Sequence, residues 1–141
     1  MRQMACGVVV ILVAVLMTGC PPATYLEVSF PGTSQDFQVN DSNQLVLTIR
    51  FSEDIAFDSL IAGSNVILNT EDVTNASITI AVGATANEIV ITSDGTVGDL
   101  LTFDPDGFFS IVLKATGGNP VESVDGHVLA GDYMHNYVLI G

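Results

Sequence analysis

The alternation in Gln44-Leu45-Val46-Leu47-Thr48-Ile49-Arg50-Phe51 constrains this chain more than any other stretch. Leu45, Leu47, Ile49 and Phe51 interleave with Gln44, Val46, Thr48 and Arg50. A period of two puts the first set on one face of a strand and the second on the other. On a helix the same four apolar residues would spread right round the surface. Thr, Ile and Val also suit a pleated sheet, and Ser52-Glu53-Asp54 closes the run with turn formers. An apolar face of this length needs a second sheet over it, so two layers are expected.

The rest of the chain reads as material for those layers. Leu26 to Phe30 alternates, and Pro31-Gly32 stops it. Residues 33–43 are polar, with Asp36, Asn40, Asp41, Ser42 and Asn43 giving turn chemistry. Phe57 to Ala62 predicts one helical turn closed by Gly63. Strands are expected over Asn65 to Asn69, with Val66 and Leu68 on one face, and over Ala76 to Val82, with Ile78, Ile80 and Val82 inward. Another covers Glu88 to Thr92 and is ended by Ser93-Asp94-Gly95. Leu100 to Phe103 reads as a short strand or a loop wedge, and Asp104-Pro105-Asp106-Gly107 as a strong turn. Phe109, Ile111 and Leu113 alternate, and Gly117-Gly118-Asn119-Pro120 breaks the chain. Asp125-Gly126 suits a tight hairpin, and Asn136 to Ile140 makes the last strand. All five prolines fall outside these strands, as ladder bonding demands. About seven short strands and no helical pattern beyond the N-terminal run predict an all-β sandwich over residues 25–141.

The start of the chain has a different character. Arg2 precedes an unbroken apolar run from Val8 to Met17, which ends at Thr18-Gly19-Cys20. The run is far short of the ~20 residues that a membrane-spanning helix needs. A positive start, a short apolar centre and small residues before a cut site make a secretory signal. A buried core helix fits poorly, because the run has no polar face and Pro21-Pro22 follow at once. Leu16-Met17-Thr18-Gly19-Cys20 resembles the lipobox of bacterial lipoprotein precursors. That resemblance implies removal of residues 1–19 and a covalent lipid on the Cys20 sulfur, with residues 20–24 as the lipidated cysteine and a short tether. The alternative is ordinary secretion with Cys20 as a free thiol. Pro21 stands where an Asp would resemble an inner-membrane retention signal, which favours the outer membrane or cell surface. With Cys6 in the leader and Cys20 bearing lipid, the mature chain has no cysteine pair for a disulfide.

Charge narrows the function classes. The formal net charge is −13. Loss of the leader takes Arg2 with it and leaves Arg50 and Lys114 against all 16 carboxylates. Nucleic-acid binding needs clustered Lys and Arg and is excluded. Anionic headgroups repel such a body, so membrane attachment rests on the acyl chains. The acidity serves either solubility or cation binding.

Two family resemblances follow from longer stretches. Leu47-Thr48-Ile49-Arg50-Phe51-Ser52-Glu53-Asp54-Ile55, then Asp58-Ser59-Leu60 and Asn65-Val66-Ile67-Leu68, resembles the bacterial Ig-like domain of S-layer and surface proteins. Phe108 to Leu113, and Asp125-Gly126 with Leu129, Gly131, Asp132 and Tyr133, extend the likeness. It implies an Ig-like β-sandwich with a structural or adhesive role and no active site. Val121-Glu122-Ser123-Val124-Asp125-Gly126-His127, with Gly131 and Tyr137, is similar to the closing segment of periplasmic copper-resistance carrier domains. That second likeness implies a Cu(II) site on Asp125 and His127, with His135 the one other imidazole able to join them. The N-terminal histidine and the methionine-rich segment of those carriers have no counterpart.

Other chemistry is thinly written. No Gly-x-Ser-x-Gly occurs and Cys20 has no nearby histidine, so no nucleophile is marked. Asp104 and Asp106 offer oxygen ligands at alternate positions, which suits Ca²⁺, but the loop lacks the length and the terminal Glu of an EF-hand. The expectation is a lipid-anchored, exported, non-catalytic Ig-like module at the cell envelope, without cofactor and with an envelope or surface protein as partner. The alternative is a periplasmic domain binding Cu(II) or Ca²⁺.

Overall fold

The computed structural model describes residues 24–29, 38–70, 73–100 and 108–138. Among them eight strands follow in order: β1 (Val28–Ser29), β2 (Gln38–Val39), β3 (Gln44–Phe51), β4 (Val66–Thr70), β5 (Ile78–Val82), β6 (Glu88–Thr96), β7 (Phe108–Leu113) and β8 (Tyr133–Val138). All strand pairs are antiparallel. One sheet runs β1-β3-β6-β5, with β2 sharing the outer edge of β3; the other runs β4-β7-β8. The alternation in β3 is realised residue by residue: Leu45, Leu47, Ile49 and Phe51 are buried and their neighbours are half-buried. Facing them, Val66, Leu68, Phe109, Ile111 and Leu113 of the second sheet are buried in the same core. Leu26 and Leu129 join it across a parallel bridge.

Several elements differ from the sequence expectation. The count is eight because Gln38–Val39, in a polar stretch, adds a two-residue strand to the edge of β3. Ile78 is buried, but Val82 is 55% exposed rather than inward. It lies on the core side at the end of β5, which is an edge strand of its sheet among the described residues. Ser93-Asp94-Gly95 does not end β6. The ladder shifts register there, from Val46 opposite Thr92 to Gln44 opposite Thr96. Ser93 Oγ accepts the Leu45 amide at 2.9 Å and donates to the Gly95 carbonyl at 2.7 Å, so a side chain takes over where the ladder is interrupted.

The strand is followed by a helical turn, Val97–Leu100; of the stretch read as a short strand or a loop wedge, residues 101–103 lie outside the described residues. Thr96 and Asp99 cap it reciprocally: Asp99 Oδ2 accepts from the Thr96 amide and hydroxyl, and Thr96 Oγ accepts the Asp99 amide. The turn expected over Phe57 to Ala62 is a three-residue 3-10 segment, Phe57–Ser59. The last strand begins at Tyr133, three residues earlier than its sequence suggests, because Tyr133, Met134 and His135 pair with β7. The turn at 104–107 and residues 139–141 lie outside the described residues. No helix among the described residues is long and apolar enough to cross a membrane.

Candidate functional site

The end of β3 and the hairpin at 121–129 meet at one pole of the sandwich. The Ala56 amide donates to the Glu122 carbonyl (3.0 Å), the Val124 amide donates to the Asp54 carbonyl (2.9 Å), and Ile55 bridges Ser123. Gly126 supplies the turn with a φ of 81°, which an L side chain rarely adopts. The Gly126 amide donates to the Ser123 carbonyl, the Ser123 amide to the His127 carbonyl, and the His127 amide to Ser123 Oγ. The Asp125-Gly126 turn is therefore closed by its own backbone, and Asp125 is left exposed.

His127 turns to a partner that the sequence reading did not name. Its Nδ1 lies 2.8 and 3.0 Å from the two carboxylate oxygens of Glu53. A carboxylate can only accept, so Nδ1–H is the donor. Glu53 ends the Phe51-Ser52-Glu53 run, 74 residues from His127, and the pair clips the hairpin to the end of β3. His135 sits in the middle of β8 opposite Ile111, with its ring stacked on Tyr133 (centroids 6.4 Å apart, planes 10° off parallel). Asp125, His127 and His135 thus occupy a turn tip, a hairpin arm and the middle of a strand. Among the described residues no three His, Cys, Asp or Glu side chains group as a metal site. Asp104, Asp106 and Cys20 lie outside the described residues.

A carboxylate-oriented histidine can serve as a general base only when its other nitrogen reaches a nucleophile. Ser123 Oγ accepts the His127 backbone amide, and the His127–Glu53 pair ties the hairpin to the end of β3. Cu(II) titration of residues 21–141 is expected to show weak binding, unchanged by His127→Ala or His135→Ala, because Cu(II) prefers a tetragonal N/O set. Tight one-to-one binding lost in both variants would move the protein to the copper class.

Three further polar anchors hold this pole, and the sequence marks none of them as an anchor, although Asn65 and Asp132 fall within the Ig-like likeness. Asn65 is buried: its Oδ1 accepts the Ile61 amide (2.7 Å), while Nδ2 donates to the carbonyls of Ser59 (2.5 Å) and Asn119 (2.9 Å). Glu88, also buried, accepts from the Ala84 amide (3.0 Å) and from Arg50 Nη2 (2.9 Å). These two contacts, the amide first, hold its carboxyl below the usual range. Gly83 packs on it so closely that an added Cβ would stand 2.6 Å from the Glu88 side chain. Asp132 accepts from the Ala115 amide, Lys114 Nζ and Thr116 Oγ, and its carboxyl is lowered chiefly by the first two. Local pattern offers little signal for such anchors, since each joins residues from separate segments.

Comparison with known proteins places this geometry in a fold. Neither a family model nor a curated protein sequence matches the chain. Among solved structures it is similar to native alpha-2-macroglobulin from Escherichia coli spanning domains MG0-NIE-MG1, with a TM-score of 0.56 and 9% identity over 82% of this chain and 32% of that one. The cryo-EM reconstruction of the native conformation of E. coli alpha-2-macroglobulin gives a TM-score of 0.55 and 10% identity, over 82% of this chain and 6% of that one. The fold is an Ig-like β-sandwich. At these identities the likeness shows fold alone, and the chain spans about a third or less of either neighbour. Nothing in it speaks for the S-layer type over other Ig-like domains. Within the Ig-like frame the Asn65 anchor secures the crossing from one sheet to the other, and the Asp132 anchor joins the adjacent ends of β7 and β8 in one sheet.

Proposed function

We propose that this chain is a lipid-anchored, exported bacterial Ig-like module with a non-catalytic structural, adhesive or protein-interaction role at the cell envelope. The observation that carries the reading is the Leu16-Met17-Thr18-Gly19-Cys20 motif, which stands six residues ahead of Leu26, the first buried residue described. A short apolar leader, a lipobox-like cut site and a proline-bearing tether feed directly into the sandwich. The non-catalytic part is supported by the fold likeness. The partner is an envelope or surface protein.

The test is mass spectrometry of the mature N-terminus, beside a Cys20→Ala variant. The expected wild-type terminus is Cys20 carrying acyl groups, and Cys20→Ala is expected to accumulate as uncleaved precursor without lipid. An unmodified terminus, or cleavage at another residue, would end the lipoprotein reading.

A further inference from the structure

Large apolar side chains left exposed are not spread evenly over this domain. Among the described residues seven are exposed, and Tyr25, Phe57, Ile61, Val82 and Val124 lie at the pole where the chain enters. Leu26 fixes that entry: its amide donates to the Val128 carbonyl and it bridges Leu129. Val124, 67% exposed, tips the adjoining hairpin, and Phe57 follows directly on the Ala56–Glu122 contact. Val82 ends β5 opposite Ile89, beside the Arg50–Glu88 pair at the end of β3. Single exposed apolar residues need no explanation, but a cluster at one end marks a contact surface.

Chain length says what that surface meets. Six steps separate Cys20 from Leu26, which at about 3.5 Å each reach no further than ~20 Å. The eight residues of β3 alone extend about 25 Å. The tether is shorter than the sandwich is long, so a lipid on Cys20 holds this pole, and not the opposite one, at the bilayer. Tyr belongs to the residues that settle at headgroup level, with an apolar ring and a polar tip. The charges here select the lipid. Glu27, Asp54, Asp58 and Asp125 are exposed around the apolar residues, while the two basic side chains among the described residues are engaged, Arg50 with Glu88 and Lys114 with Asp132. Such a rim attracts the cationic nitrogen of zwitterionic headgroups and repels anionic ones.

We propose that this pole seats on a zwitterionic membrane surface, with Tyr25, Phe57 and Val124 at headgroup level and the surrounding carboxylates facing headgroup ammonium groups. The inference rests on the lipid-anchor reading above and deepens it. The opposite pole, with Val39 in β2, faces away from the bilayer.

The test uses the full mature lipoprotein in vesicles of phosphatidylethanolamine and phosphatidylcholine. Val124→Cys and Val39→Cys variants each carry one environment-sensitive fluorophore, and both substitutions fall on exposed side chains. Co-flotation and labelling stoichiometry are read first, since a lipid-bearing Cys20 leaves one reactive thiol. The expected result is headgroup-level quenching severalfold greater at position 124 than at 39, shrinking when phosphatidylglycerol replaces half of the lipid. Equal quenching at both positions in floated vesicles overturns the seating and leaves the anchor standing. Two labels per chain with no flotation overturns the anchor, and the seating with it. Protection at 124 that rises with protein density, without lipid quenching, assigns the surface to a second copy and overturns the membrane as its occupant.

Discussion

Phe51→Ala is expected to cost about 3–5 kcal/mol of stability. The side chain is fully buried at the end of β3, and alanine would leave a cavity there. The backbone around it is pinned independently: the Phe51 amide donates to the Asn87 carbonyl, and Asn87 Nδ2 donates to the Phe51 carbonyl. Relaxation to fill the space is therefore restricted, which puts the cost in the upper part of that range. Val46→Thr, on the other face of the same strand, is expected to cost well under half as much. Val46 is half-buried, and an added hydroxyl can stay hydrated there. Urea unfolding of residues 21–141 measures both, as shifts of midpoint at constant slope. Equal losses would mean that β3 is buried on both faces, contrary to the alternation that defines the fold. Against an ordinary domain stability of about 5–15 kcal/mol, the Phe51 loss threatens folding outright.

What the sequence made legible was the set of faces. Leu45, Leu47, Ile49 and Phe51, then Val66 with Leu68, and Phe109, Ile111 with Leu113, all lie on the buried side that their alternation predicts. Each of these strands is covered by the other sheet, so period and burial coincide. Val82 continues the same period but sits at the end of an edge strand and is exposed, and alternation carries no information about that. Ser93-Asp94-Gly95 has the composition of a stop, yet Ser93 Oγ supplies the acceptor that a continuing ladder lacks. The polar pole was the least legible part. Asp125 and His127 are two residues apart and draw the eye as a pair, whereas the group His127 meets is Glu53. Pairing across 74 residues is a product of topology, which brings the end of β3 beside the 121–129 hairpin. Likewise Asn65 opens a predicted strand in the sequence, and its role emerges only where the 52–65 crossing meets the 114–120 loop.

That role carries the second large effect. Asn65→Asp is expected to destabilise the domain by about 3–5 kcal/mol at neutral pH, as expected for an unpaired buried charge. Asparagine supplies one acceptor and two donors, and all three are used. Aspartate keeps the acceptor for the Ile61 amide but turns an oxygen towards the Ser59 and Asn119 carbonyls. Two donated bonds are lost and a charge is left among acceptors. Asn65→Ala also strands these carbonyls, at about 1–3 kcal/mol for each buried group left unsatisfied, but introduces no charge. Asn119→Ala is the control: only the Asn119 carbonyl is used and its side chain is exposed, so the change should fall within about 0.5 kcal/mol of wild type.

Acidification separates an electrostatic cause from a packing one. Burial among carbonyls raises the folded-state pKa of an aspartate at 65 above its unfolded value. Between the two values the folded state binds more protons, so stability falls as pH rises, and the penalty is relieved as pH drops towards the unfolded pKa. Once protonated, the carboxyl regains one donor for Ser59 or Asn119. Unfolding midpoints followed from pH 7 downward should therefore show the gap between Asn65→Asp and wild type narrowing, while the gap for Asn65→Ala stays level. A gap for the aspartate variant that does not change with pH would mean that water reaches Asn65 and that the three-way anchor does not hold the crossing.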